Sequence, residues 1–230
     1  MDSTKEGFDE FARTHKAGFC KMPSGFSHLP VLTASKNFMV PSRVDCRDYF
    51  TPTEDQGDLP WCSAYAAAQW TENIRWRTKD CPEDVDPGWI YAFAKEVDGD
   101  PDSKGTTLTA VLEAVRSKYF DDNCSVKTIR PTRLAVKYAL HKFGCILCGF
   151  NITSDWYSAT KEDDIIHGTG ESLGGHAVCA AGYDKNYLYI VNSWGAKWAR
   201  YGHARVSWEV FDRQFLYGAV LSNALDGMTV

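Results

Sequence analysis

The pattern of the chain changes at Gly144, and that change constrains the fold more than any single motif. From Cys62 to Phe143 the signals are helical. Cys62 opens an Ala-rich run (Ala64, Ala66, Ala67, Ala68) that predicts a helix to about Arg77, with side chains small enough for tight packing. Asp86-Pro87 predicts a second helix, a capping side chain followed by proline at the first helical position. A third follows Gly105-Thr106-Thr107, with Leu108, Val111, Leu112 and Val115 on one face, and a fourth runs from Pro131 to about Phe143. After Gly144 come short β-branched, aromatic or small apolar runs at 145–150, 176–183, 187–192, 203–208 and 216–221. Asp184-Lys185-Asn186 reads as a hairpin turn between two of them. A helical half followed by an antiparallel half predicts an α+β fold of two lobes, helical over about 56–143 and β over about 144–222. A site built from the start of a helix in one lobe and from strands in the other then lies in the cleft between them.

Composition narrows the partners. At 230 residues the chain can bury a core without disulfide staples. The net charge is −5 with no long basic run, so neither nucleic acid nor an anionic membrane surface is an expected partner. No stretch of 18 apolar residues exists, so no transmembrane helix is expected. Met1-Asp2-Ser3-Thr4-Lys5-Glu6 is polar and carries no apolar signal core, which points to the cytoplasm or to export by a non-classical route. Of the eight cysteines, taking Cys62 as a nucleophile leaves seven, an odd number that argues against a fully paired framework. Cys145 and Cys148 have CxxC spacing but sit in an apolar run. Buried strand cysteines fit that context better than a redox or zinc pair. No cofactor or metal is expected, and the expected state is a monomer.

Three side chains in chain order carry the chemistry: Cys62, His176 in Gly174-Gly175-His176-Ala177, and Asn192 in Asn192-Ser193-Trp194-Gly195. A thiolate attacks far better than a thiol, and a helix N-terminus with a neighbouring imidazolium lowers a cysteine pKa from roughly 8.5 to about 3–4. Cys62 stands at a predicted helix start. His176 pairs with the thiolate and then protonates the leaving amine. Asn192 holds the far ring nitrogen and so the tautomer, and Trp194 lies over that contact. An uncharged orienter suits a resting thiolate–imidazolium pair. The oxyanion takes the Cys62 backbone N–H and the side-chain amide of Gln56, six residues upstream. His167 and His203 are competing bases without a neighbouring strand motif for the role.

These blocks resemble the papain-like cysteine peptidases. Val40-Pro41-Ser42-Arg43-Val44-Asp45-Cys46-Arg47 is similar to the start of the mature domain in that family. Gln56-Gly57 and Cys62, Gly175-His176-Ala177-Val178, Ala181-Gly182-Tyr183, and Asn192-Ser193-Trp194-Gly195 through Trp198 and Tyr201-Gly202 follow in the family order, covering about residues 40–221. The resemblance implies a helical left lobe, a β-barrel-like right lobe and hydrolysis of peptide or protein substrates. It also implies that Gly105 and Thr106 pair with substrate as an added strand, and that Gly175 and Ala177 border the S2 pocket. Those two small neighbours predict an apolar or aromatic P2 residue.

The chain departs from the family around the nucleophile. The upstream disulfide cysteine is missing, and Trp61 precedes Cys62 where the family's tryptophan follows, narrowing the S1 or primed side. The interval from Cys62 to His176 is 114 residues (176 − 62), shorter than the roughly 130–150 of the papain type. Residues 1–39 form an extension, shorter than the family's helical propeptide, ahead of a domain at 40–230. Its first part suits a short helix, and 18–30 looks irregular. The extension is expected to lie along the cleft and block it. An idle peptide-binding protein, and an amidase or transferase using the same three side chains, are the competing functions.

Overall fold

The structure, a computed structural model, describes residues 12–15, 17, 20–24, 26–34, 38–50, 52–79, 83–120 and 122–223. Most of the short helix expected near the start lies outside them, although 12–14 are helical. The segment expected to be irregular contains a two-residue strand, β1 (Cys20–Lys21), and a 3-10 turn (Phe26–His28). After β2 (Val44–Asp45) comes the central helix α1 (Cys62–Lys79). Ala64, Ala66, Ala67, Ala68, Trp70 and Ile74 on it are all buried, which is why its pattern shows no single apolar face. It packs against α2 (Pro87–Asp98) and, beyond β3 (Thr106–Thr107), against α3 (Leu108–Tyr119). Asp86 caps α2 by accepting the Gly88 N–H, and Thr107 caps α3 by accepting the Ala110 N–H.

The chain then runs through β4 (Ser125–Ile129), α4 (Arg133–Phe143), β5 (Ile146–Thr153), β6 (Ile165–Ile166), β7 (Ser172–Tyr183), β8 (Tyr187–Val191) and β9 (His203–Ser207). A short helix α5 (Trp208–Gln214) and β10 (Phe215–Ser222) complete it. The large sheet has the order β4-β10-β5-β7-β8-β9-β6, with β2 added on β7, and every pairing except β6 with β9 is antiparallel. Helices on one side and a mostly antiparallel sheet on the other make a two-lobe α+β fold.

Contacts along α1 join the lobes. Trp70 donates from its indole to the Cys145 carbonyl at 3.1 Å, and the Cys179 thiol donates to the Ala66 carbonyl at 3.0 Å. Arg77 donates to the Phe143 carbonyl at 2.6 Å, and its guanidinium lies over Gly144. That glycine, at φ 74°, ends α4 where a Cβ would fall 2.2 Å from the guanidinium. Cys145, Cys148 and Cys179 are fully buried free thiols in this seam.

Besides the two-residue strands β1, β2 and β3, further elements went unforeseen. β4 lies inside the helical stretch of sequence and pairs with β10. α5 begins at Trp208, the last residue of a run that reads as strand. β6 is two residues long.

Candidate active site

His176 enters from β7 and Asn192 from the turn after β8, strands that pair with Cys179 opposite Val191. The register sets the two side chains together: His176 Nε2 and Asn192 Oδ1 are 2.8 Å apart. Asn192 is itself fixed, because its Oδ1 also accepts the Ser193 N–H at 2.9 Å and its carbonyl accepts from Gln69 on α1 at 3.3 Å. Asn192 Oδ1 takes the ring's Nε2–H, which leaves Nδ1 as the basic nitrogen, buried with no hydrogen-bond partner. Trp194 lies over this pair, its ring centroid 4.7 Å from that of His176, and Tyr157 stacks on Trp194 at 4.8 Å.

Cys62 is the first residue of α1, with the Trp61 carbonyl accepting the Ala64 N–H at 2.8 Å and the Tyr65 N–H at 3.0 Å. Its thiol meets the backbone N–H groups of Ala177, Ser63 and Cys62, together with the Ser63 hydroxyl. Three oriented N–H groups, two of them at a helix start, favour a thiolate. Burial outweighs them: Cys62 and His176 are both 0% exposed, and desolvation pushes the thiol up to about 11. Desolvation likewise lowers the imidazole to about 4, against the opposing hydrogen bond from Asn192. In this form burial disfavours the charged state of both groups, the opposite direction to the resting ion pair expected from the sequence.

Gln56 is buried beside them. Its Oε1 accepts the Ser193 hydroxyl at 2.6 Å, its backbone N–H goes to the Ser193 carbonyl at 2.8 Å, and its Nε2 donates to the Leu59 carbonyl at 2.9 Å. Trp61 stacks on Tyr91 of α2 at 4.7 Å, making it part of the helical wall. Gly105 lies at the cleft edge, its carbonyl accepting from Lys95 at 3.1 Å. Thr106 accepts the Ser63 hydroxyl at 3.2 Å. The competing histidines stand apart. His167 is exposed and paired with Asp163 at 3.3 Å, and His203 lies on β9 against Phe50.

Residues of the chain's own extension lie against both walls of the site. Cys20 and Lys21 pair in parallel with Thr106 and Thr107. Upstream, the His15 carbonyl accepts the Tyr157 hydroxyl at 2.9 Å, and the His15 ring contacts Asp55 at 3.2 Å. Ala17, between them, packs on the core. His15 thus lies on the Trp194 side, and Cys20 and Lys21 on the Thr106 side. Gly175 permits this: a Cβ there would fall 1.9 Å from the Cys20 carbonyl oxygen. Ser193 and Ser63 were given no role in the sequence reading, and Tyr157 and Tyr217 escaped it. The first lies within a motif and the second beside one; the two tyrosines carried no local signal.

Behind Gln56, Glu54, Glu72 and Asp84 bring carboxylate oxygens within 4.8 Å of one another, and the Val85 N–H donates to Glu72 at 2.9 Å. Burial, with Glu72, Asp84 and Asp86 adding to it, raises Glu54 to about 7. The folded chain therefore holds a proton there that the unfolded chain releases between about pH 4.5 and 7, so this group's contribution to stability falls as pH rises through that window. Glu54→Gln is expected to raise stability by about 1 kcal/mol at pH 8, allowing for partial solvation, and to leave it unchanged at pH 4. Urea melts at both values check this.

The comparisons with known proteins agree with the architecture. A family model described as "Papain family cysteine protease" matches residues 101–214, a range that includes His176 and Asn192 but neither Cys62 nor Gln56. Xylellain, a cysteine protease from Xylella fastidiosa, superposes with a TM-score of 0.74 over 91% of this chain and 97% of that one, at 18% identity. The fold is papain-like. A proCathepsin B S9 from Trypanosoma congolense has the same fold, with a TM-score of 0.70 over 91% of this chain and 87% of its own, at 14% identity. Cathepsin B-like cysteine proteinase 5 of Caenorhabditis elegans is 28% identical over 152 residues, 63% of this chain. The match spans 40% of that relative's length.

Proposed function

We propose that this chain is a cysteine peptidase whose cleft is held closed by its own N-terminal segment. The observation that supports the reading most is the His176–Asn192 bond, which leaves Nδ1 without a partner, while the next residue, Ala177, presents its N–H to the Cys62 thiol. His176 takes the Cys62 proton, and the thiolate adds to the scissile carbonyl. The resulting oxyanion is held by the Cys62 N–H and Gln56 Nε2. The imidazolium then gives its proton to the departing amine as the C–N bond breaks, leaving a thioester. Water, deprotonated by the same imidazole, hydrolyses that thioester and restores the thiol. Ser193 positions Gln56, and Trp194 shields the His176–Asn192 bond from water.

Removing the Gln56 amide takes one of two oxyanion donors and is expected to lower kcat by on the order of 10²–10³ with little change in KM. The decisive experiment cuts the chain near Val40 to free the cleft, treats it with a peptidyl epoxide, maps the adduct by mass spectrometry and profiles cleavage of a peptide mixture. Selective alkylation of Cys62 with peptide-bond cleavage is expected. Alkylation without cleavage favours an idle peptide-binding protein, and hydrolysis of small amides alone favours an amidase.

A further inference from the structure

The docked segment reports the size of side chain that the cleft accepts. Cys20 is 6% exposed, and its side chain sits in a short pocket. One wall is Gly149 of β5, where a Cβ would fall 3.1 Å from the Cys20 Sγ and 3.5 Å from the Tyr217 ring. A second is the Ser63 hydroxyl, which hydrogen-bonds the Cys20 thiol and donates to the Thr106 carbonyl at 3.2 Å. The end of the pocket is Tyr217, itself fully buried. Its hydroxyl accepts the Leu108 N–H at 2.8 Å and donates to the Lys21 carbonyl at 3.0 Å. Because Tyr217 belongs to β10 and Leu108 begins α3, the ring bridges the two lobes beneath the segment.

We propose that Tyr217 closes the pocket facing Gly175 and restricts it to short side chains, so that the preferred substrates are peptides carrying alanine, serine or cysteine at that position. The inference rests on the peptidase reading and narrows the apolar or aromatic P2 expectation. None of the three walls yields readily. Gly149 has no side chain to rotate away, Ser63 is tied to the Thr106 carbonyl, and moving Tyr217 leaves the buried Leu108 N–H without its acceptor. A leucine or phenylalanine there overpacks a space the size of a cysteine.

The test uses the full chain and reads the rate at which iodoacetamide alkylates Cys62, followed by peptide mass spectrometry. Cys20→Ala and Cys20→Ser are expected to stay within about twofold of the parent, whereas Cys20→Leu and Cys20→Phe accelerate labelling about tenfold or more by expelling the segment. Adding Tyr217→Ala to Cys20→Leu readmits the leucine and restores slow labelling, whereas Tyr217→Phe, which keeps the ring, does not. A second arm assays Cys20→Leu protein on peptides varied at P2, where hydrolysis is expected to favour Ala, Ser and Cys over Leu and Phe by about tenfold or more. Equal labelling across the Cys20 series overturns the proposal, and that series decides the matter even where Tyr217→Ala fails to fold. A P2 preference for Leu or Phe overturns it as well. A size-dependent labelling series without hydrolysis of any peptide supports the pocket and sinks the peptidase reading.

Discussion

Replacing Cys62 by serine is expected to abolish peptide hydrolysis, lowering kcat/KM by on the order of 10⁴-fold or more. The substitution keeps the position at the start of α1, and a hydroxyl can take the same N–H groups from Ala177 and Ser63 that the thiol takes. Folding and the outline of the site are therefore preserved, and what is lost is the nucleophile. A serine hydroxyl needs a strong base to become an alkoxide, whereas burial holds His176 down to about 4 and makes it a weak one. Without a charged third member, nothing stabilises the imidazolium that serine chemistry requires, since Asn192 offers a dipole where an aspartate offers a charge. His176→Ala is expected to cost a similar factor, and the double variant no more than either single one, because the two groups act as a unit. A melting transition unchanged from the parent, measured beside kcat/KM on the same preparations, separates this from unfolding. Activity within tenfold of the parent in the serine variant would remove Cys62 from the chemistry.

Much of the site was legible in the sequence because its parts are local. Asn192, Ser193 and Trp194 are consecutive. His176 lies between the small residues Gly175 and Ala177, and Cys62 stands where an alanine-rich helix begins. The helix starts at Asp86 and Thr107 were legible for the same reason, since a cap is a local bargain between one side chain and one or two N–H groups. What escaped depends on contacts distant in sequence. β4 becomes a strand by pairing with β10, and nothing in Ser125-Val126-Lys127-Thr128-Ile129 announces a partner some ninety residues away (Gly218 lies opposite Ile129). Tyr217 reads as an ordinary strand tyrosine until its hydroxyl is seen between Leu108 and Lys21. The ionisation of the pair escaped for a related reason. The helix start and the imidazole are visible in the sequence and favour a thiolate, but the burial that opposes it comes from the fold around the site.

Gly175→Val is expected to open the cleft. A Cβ at this position would lie 1.9 Å from the Cys20 carbonyl oxygen, a backbone atom held by β1 pairing with β3, so the side chain and the docked segment exclude one another. Gly175 does not occupy the left-handed region, so valine suits its place in β7 and the cost falls on the segment rather than on the strand. Among the described residues, contacts on the segment include the Cys20–Thr106 pairing, the Tyr157 and Tyr217 hydroxyls, His15 with Asp55 at 3.2 Å, and Lys21 with Asp100 at 2.7 Å on the surface. The Cys20 backbone lies at the centre of these, and its displacement is expected to shift the equilibrium. Once water reaches Cys62 the desolvation that holds its thiol near 11 is relieved, while the N–H groups of α1 and Ala177 stay in place and favour the thiolate. The rate of alkylation by iodoacetamide follows the thiolate fraction, so its pH profile reads the change directly. The parent is expected to label slowly at pH 7, with the rate still climbing at pH 10. The variant is expected to show a midpoint below about 8.5, the value of a free thiol, and a rate at pH 7 faster by about tenfold or more. The same profile also tests the resting ion pair, which burial disfavours in the closed form and which is expected in the open one. Coincident profiles for parent and variant would mean that residues near Cys20 do not govern access to the thiol.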